Sequence, residues 1–336
     1  MIPQFNNIGS DPEFLFTRRE EFRTILVPAN TLITEPKPVA LRAFVGTDNH
    51  AATAEIRPSP THNIGRHLYE IAYGLHETDK WLAASKKFND VKMVAQPHVT
   101  DEPLGGHIHC SFFVDEPETL QLNRCNRMFL GDRLVPLDPA ALVPPLQEED
   151  SVWINEYVRK FKSDQVMHPL RFAEYMDYLL WPYECAIQPW WDRLRRNSRY
   201  GGTSGVGDRV RRNFSTPKSN KTNKFAYFHY EYRAPSTWLC HPWLAYAYLG
   251  LTKLSILNTT LLHDSNKTFL LPEQVPQNKS YQKLFTERFQ LMIDKGRWTT
   301  DLKALQQIIP KTFMQRSAWF EIPGQPIDID AWRRLL

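Results

Sequence analysis

The sequence predicts an α+β fold on a mainly antiparallel sheet. Three observations carry this reading. Short strand-like runs fill the first 115 residues, helical apolar spacing dominates from about residue 150, and one strand-like run returns at 225–235. Too few β–α units alternate for a doubly wound parallel sheet.

The early strands are FLFTR near 14–18, RTILVPA near 23–29, VALRAFV near 39–45, TAEIRP near 53–58 and HIHCSFFV near 107–114. One helix interrupts them. Ile64, Leu68, Ile71, Ala72, Leu75 and Leu82 recur at 3- and 4-residue spacing, with Thr61 as the expected N-cap. Later helices are read from SVWINEYVRKF, FAEYMDYLLW, HPWLAYAYLGLTKLSILN, YQKLFTERFQLMID and DLKALQQII, and the returning strand from FAYFHYEYRAP. Proline clusters at 28–38, 134–145 and 182–189 read as ordered loops, because aromatic and aliphatic residues are interleaved with them. The expected division is a catalytic domain over 1–240 and a helical part over 241–336 that packs on it, with Trp298, Trp319 and Trp332 on its surface.

Composition narrows the function classes. The 336 residues are 42% apolar and 23% charged, enough for a packed core and too apolar for wholesale disorder. No apolar run reaches the ~18 residues of a membrane span, so no membrane partner is expected. The start, MIPQFNNIGSDPEF, lacks the basic and apolar regions of a secretory signal, which points to the cytoplasm. The net charge of +4 argues against nucleic acid as the main partner. Cysteines at 110, 125, 185 and 240 form no C-x-x-C pair and read as reduced, mostly buried thiols.

Residues i and i+2 of a strand point to one face. Four strands place functional groups in that pattern: Asp11 and Glu13, Glu55 and Arg57, His107 and His109, and Glu231 and Arg233. Taken singly, each pair also fits a solvated face or a surface ion pair worth ~0–1 kcal/mol. Together they are more informative. Gly or Pro lies beside each pair, and Phe14, Ile56, Ile108 and Tyr232 hold the opposite parity. If the four strands share a sheet, one face collects carboxylates, imidazoles and guanidiniums. So much buried like charge calls for divalent cations, and oxygen-rich ligand sets favour Mg²⁺ or Mn²⁺. The guanidiniums then call for anions, and phosphates suit both. Metal-assisted phosphoryl transfer from a nucleotide fits this set.

A basic segment agrees. Residues 193–224 hold ten Lys or Arg against one acid, Asp208, with Gly201, Gly202, Gly205 and Gly207 among them. It reads as a mobile anion-binding flap through Arg199, Arg209, Arg211 or Arg212, or else as a solvated or nucleic-acid-binding loop. No G-x-x-x-x-G-K-[ST] loop is present, so metals, strands and Arg would have to hold a nucleotide.

These motifs carry a resemblance. IGSDPEFLF resembles the first metal strand of glutamine synthetases, ATAEIRPSP their intervening glutamate strand, GGHIHCSF their H-x-H strand and YEYRAP their late E-x-R-x-P strand. From about 8 to 240 the chain is most similar to the carboxylate–amine ligases (amidoligases) of that superfamily, in particular the type 2 group of tailed phages. The resemblance implies a glutamine synthetase-like catalytic fold with a curved, partly barrel-like antiparallel sheet flanked by helices. It also implies an ATP-dependent ligase with two or three Mg²⁺ ions (or Mn²⁺) that joins a carboxylate to an amine through an acyl phosphate. The acid and amine would come from an amino acid, a peptide or a protein side chain.

By the same resemblance, the metal ligands would be Asp11, Glu13, Asp48, Glu55, His107 and Glu231. His109 would contact the nucleotide phosphates and Arg233 would hold the transferring phosphoryl group. Arg57 would meet a substrate carboxylate or pair with a ligand carboxylate. Because the first metal strand starts at residue 9, the ring-shaped oligomer of glutamine synthetases is not carried over, and the oligomeric state is open. Three other readings stand beside the ligase: a metal-dependent hydrolase, a phage structural or binding protein with a decayed site, and a nucleic-acid binder acting through 193–224.

Overall fold

The computed structural model describes residues 4–33, 45–47, 51–61, 63–99, 102–113, 127–130, 133–136, 176, 179–184, 186–187, 210–215, 227–257, 278–295, 300–320 and 326–336. Its centre is an open, antiparallel eight-stranded sheet, as the fold class expected. The strands are β1 (Gln4–Glu20), β2 (Arg23–Val27), β3 (Val45–Thr47), β4 (Thr53–Ile56), β5 (Val91–Val94), β8 (Gly106–Phe113), β11 (Val210–Ser215) and β12 (Tyr227–Tyr232). The main path runs β11-β12-β8-β1-β4-β3, and β2 and β5 both pair with β1. Two short hairpins stand apart from the sheet path. These are β6 (His98–Val99) against β7 (Glu102–Pro103), and β9 (Arg127–Leu130) against β10 (Arg133–Pro136).

β1 is the hub. Up to Pro12 it is in register with β8, and from Glu13 it pairs with β4. Pro12 has no N–H to donate, which suits the point where the ladder changes partner. Period-2 alternation divides the strand between two environments. Ile8, Phe14 and Phe16 are buried in the main core with Ala54, Ile56, Ile108, Cys110 and Tyr232. Asp11 and Glu13 hold the other parity.

Helices cover the apolar face. Ile64–Ala84, here α2 after the short α1 (Ala29–Ile33), buries Ile64, Leu68, Ile71, Ala72, Leu75 and Leu82, the stripe its spacing predicts, and adds His67. Its N-cap is Asn63 rather than the expected Thr61. Asn63 Oδ1 accepts from the Arg66 N–H at 3.0 Å. Thr61 is held in extended backbone because it exchanges both backbone hydrogen bonds with Ile8, at 2.8 and 2.9 Å. α3 (Pro242–Leu257) is apolar nearly all round, and its Leu244, Tyr248 and Leu251 lie in the same core. α4 (Asn278–Lys295) and α5 (Thr300–Phe320) add Phe285, Leu305 and Ile309.

The expected surface position of Trp332 is corrected. In α6 (Ile329–Arg333) its ring is buried, and its indole N–H donates to the Leu239 carbonyl at 2.8 Å. The Asp328 cap turns the chain so that this face meets the core while Arg333 reaches Asp79 of α2.

The basic segment is also corrected in part. Residues 210–215 form β11, a regular edge strand on β12, rather than a flap, because every residue from Val210 to Ser215 finds a ladder partner there. The side chains of Trp298 and Trp319, the strand expected over 39–44, the helix expected over 151–161, and Asp48, Arg199 and Arg209 lie outside the described residues. Cys110 and Cys240 are free, buried thiols.

Candidate active site on the polar face of the sheet

Register decides which functional residues meet. Asp11 stands opposite His107, Glu13 opposite Glu55, and Glu231 opposite His109. Four neighbouring strands thus contribute to one patch. His109 Nε2–H donates to Asp11 Oδ1 at 2.9 Å. His107 Nδ1 lies 3.5 Å from Asp11 Oδ1 and 3.6 Å from Glu231 Oε1. Arg233 Nε lies 3.3 Å from the same Glu231 oxygen.

One ligand atom each from Asp11, His109 and Glu231 lies within 4.8 Å of the others, a spacing that admits a metal ion. The donor set of two carboxylates and an imidazole suits Mg²⁺ or Mn²⁺. The resemblance assigned the metal imidazole to His107 and the phosphate contact to His109. In the structure it is His109 that completes the three-residue group, while His107 lies beneath both carboxylates.

The electrostatics match a cation site. Burial by itself pulls the His107 pKa down. The Asp11 hydrogen bond and the charges of Glu13, Asp11 and Glu231 outweigh it, and the net shift is upward. For Asp11, burial works toward a higher pKa, but hydrogen bonds and positive charge from His107 and His109 hold the carboxyl well below the usual carboxylate range. Asp11 is therefore favoured in its ionised form, and His107 in its charged form. Glu13, Glu55, His107 and Glu231 are each under a tenth exposed, so that charge is poorly screened by water.

Two glycines make the room. A Cβ on Gly105 would lie 2.1 Å from His107 Nε2, and one on Gly106 would lie 2.4 Å from Trp238 Cδ1. The His107 ring thus rests directly on Gly105. The Gly105 N–H donates to Glu13 Oε2, and the Glu13 N–H donates back to the Gly105 carbonyl at 2.9 Å.

Arg57 is placed by its surroundings. Its guanidinium pairs with Glu55 Oε1, and Nη2 donates to the Thr47 carbonyl at 3.0 Å. The carboxylate pairing offered as one of the two roles of Arg57 is made here, with Glu55. Arg211 stands opposite Glu231 and Arg212 opposite Tyr230 in the β11–β12 register, which brings their backbone beside the site.

Several contributors were not singled out in the sequence. Ser10 Oγ–H donates to His67 Nε2 at 2.7 Å on the far side of β1, and His67 Nδ1–H donates to the Ser59 carbonyl at 3.2 Å. A histidine one residue before Leu68 on the apolar stripe was the available signal. Glu184 accepts from the Ser236 N–H and hydroxyl, and the Thr237 hydroxyl donates to the Glu13 carbonyl. The lone acid in the apolar run LLWPYECAI was the signal for Glu184.

The resemblance is supported over part of the chain. Residues 8–129 match the family model described as phage phiEco32-like COOH.NH2 ligase-type 2. The matched stretch contains Asp11, Glu13, Glu55, Arg57, His107 and His109, while Glu231 and Arg233 lie beyond it. No curated protein matches the chain. Two solved structures show partial likeness. One is the complex between the prokaryotic ubiquitin-like protein Pup and its ligase PafA, with 8% identity and a TM-score of 0.48, covering 97% of this chain and 67% of that one. The other is a glutamine synthase homolog, with 12% identity and a TM-score of 0.43, covering 99% of this chain and 71% of that one.

Proposed function

We propose that this chain is an ATP-dependent carboxylate–amine ligase. The observation that carries the reading is the convergence of Asp11, His109 and Glu231 beside Arg233, with Asp11 and His109 within the stretch matching a COOH.NH2 ligase family.

The reaction has two steps. A substrate carboxylate oxygen attacks the γ-phosphorus of ATP, the bond to the β–γ bridging oxygen breaks, and ADP leaves. The amine nitrogen then attacks the acyl carbon, the carbon–oxygen bond of the acyl phosphate breaks, and phosphate departs as the nitrogen gives up a proton. The first step brings two anions together, which at 4 Å costs about 4 kcal/mol per pair of unit charges at an effective dielectric of 20.

Asp11, His109 and Glu231 would hold one divalent cation, with Glu13 and Glu55 as the carboxylates of a further site. Such ions neutralise phosphate charge when bound. Arg233, anchored by Glu231, would bind the transferring phosphoryl group and hold it in line. Arg57 would keep the Glu55 carboxylate oriented. Arg211 and Arg212, with Arg199 and Arg209, remain the proposed contacts from the basic segment. The acid and amine would be an amino acid, a peptide or a protein side chain.

Hydroxylamine trapping tests the proposal. Incubation with ATP, Mg²⁺ and a pool of candidate carboxylates is expected to release ADP and yield a hydroxamate from the acyl phosphate. Product formation from any amide without nucleotide would instead favour a metal-dependent hydrolase. The absence of both ADP release and nucleotide binding would end the ligase reading.

A further inference from the structure

Glu184 is a carboxylate with only 1% of its surface exposed, in the helical segment 179–184, among the buried Leu179, Leu180, Trp181 and Tyr183. Burying a carboxylate is costly unless hydrogen bonds compensate. Both the backbone N–H and the hydroxyl of Ser236 donate to its Oε1, at 2.9 and 2.5 Å.

Ser236 belongs to the segment that follows Glu231 and Arg233, and that segment clasps Gly105 and Gly106 at the start of β8. The Gly106 N–H donates to the Pro235 carbonyl at 2.9 Å, and the Thr237 N–H donates to the Leu104 carbonyl at 3.2 Å. The Trp238 indole N–H donates to the Gly106 carbonyl at 3.1 Å, and the Thr237 hydroxyl donates to the Glu13 carbonyl at 2.6 Å. Gly105 and Ser236 form a β-bridge. The His107 ring lies against Gly105, and the Glu13 carboxylate accepts the Gly105 N–H.

We infer that Glu184 and Ser236 are positioning residues for the cation site: they fix segment 235–238, which sets Gly105 and Gly106 at the start of β8 and with them Glu13 and His107. The inference rests on the ligase reading, because it presumes that the polar cluster binds a divalent cation. It places part of the site's control in residues outside the stretch that matches the ligase family. Partners one step removed from a metal's ligands commonly change its affinity 10- to 100-fold.

The test is Mn²⁺ titration of the full chain by electron paramagnetic resonance, alongside thermal unfolding, for the wild type, Glu184→Ala, Glu184→Gln, Ser236→Ala and Asp11→Asn. Glu184→Ala is expected to weaken Mn²⁺ binding by about tenfold. Glu184→Gln, which keeps an acceptor for one Ser236 donor, recovers part of that loss. Ser236→Ala, which keeps the backbone donor, is affected less than Glu184→Ala. If Glu184→Ala does not fold, the two milder variants carry the test through a measurable fall in Mn²⁺ affinity. Wild-type Mn²⁺ affinity in the folded variants, whatever their melting temperature, overturns the positioning role alone and leaves the ligase reading standing. A wild type that binds no Mn²⁺ removes both.

Discussion

Asp11 stands opposite His107 in the β1–β8 register, yet its 2.9 Å hydrogen bond goes to His109, two residues along the partner strand. The diagonal contact leaves the cross-strand imidazole under both Asp11 and Glu231, and turns the diagonal imidazole toward the cation position. Side chains on one sheet face reach i, j±2 neighbours readily. Asp11→Asn keeps the shape and removes the charge. It is expected to lower Mn²⁺ affinity by about 100-fold or more, with unchanged far-ultraviolet circular dichroism. Unaltered Mn²⁺ binding in this variant excludes Asp11 as a ligand.

Glu231 and Glu13 are tested by the same isosteric change, with ADP release as the readout. Glu231→Gln withdraws charge from both the cation position and Arg233. Glu13→Gln keeps an oxygen that can accept from Gly105 but loses the charge acting on His107. Each is expected to reduce ADP formation by about 100-fold or more in a folded protein. Unfolding of either variant, rather than inactivity, would make that carboxylate structural.

Gly105→Ala and Gly106→Ala are expected to fail differently. The new Cβ at 105 meets the His107 ring, which is a side chain that can move, so the protein folds but binds Mn²⁺ more weakly. The new Cβ at 106 meets Trp238 and the Ser236 carbonyl at 2.6 Å, which are core and backbone. Overpacking of that kind costs about 1–3 kcal/mol. Urea unfolding together with Mn²⁺ titration separates the two, and equal effects from both substitutions would contradict this account of the two glycines.

Acid sensitivity is expected from His67. Burial pulls its pKa from 6.5 to about 4, against the opposing pull of the Ser59 hydrogen bond and Glu70. Its folded value is thus depressed below the unfolded one. Between these values the unfolded chain takes up a proton that the native chain does not, so stability falls as pH drops from about 6.5 to about 4, by about 3 kcal/mol in all. His67→Gln removes this contribution. The stability gap between wild type and variant, measured by urea unfolding, is therefore expected to shrink from pH 7 to pH 4.5. A gap that stays constant would mean that His67 titrates alike in both states.

The sequence by itself determined the alternation of polar and apolar residues along β1, β4, β8 and β12, because strand parity is a local property and Phe14, Ile56, Ile108 and Tyr232 leave only one face for Glu13, Glu55, His107 and Glu231. It also determined the apolar stripe of α2. It could not determine cross-strand register, and register decides that both His107 and His109 stand beside Asp11 and Glu231. The N-cap moved to Asn63 because Thr61 is captured by Ile8, a partner more than fifty residues away. Trp332 went inside because Leu239 offers a carbonyl that no local pattern announces. Residues 210–215 became a strand because β12 had a free edge. Glu184 and Ser236 meet across 52 residues. In each case the deciding energy comes from a backbone or side-chain partner distant along the chain, and only the packed structure sets which partners meet.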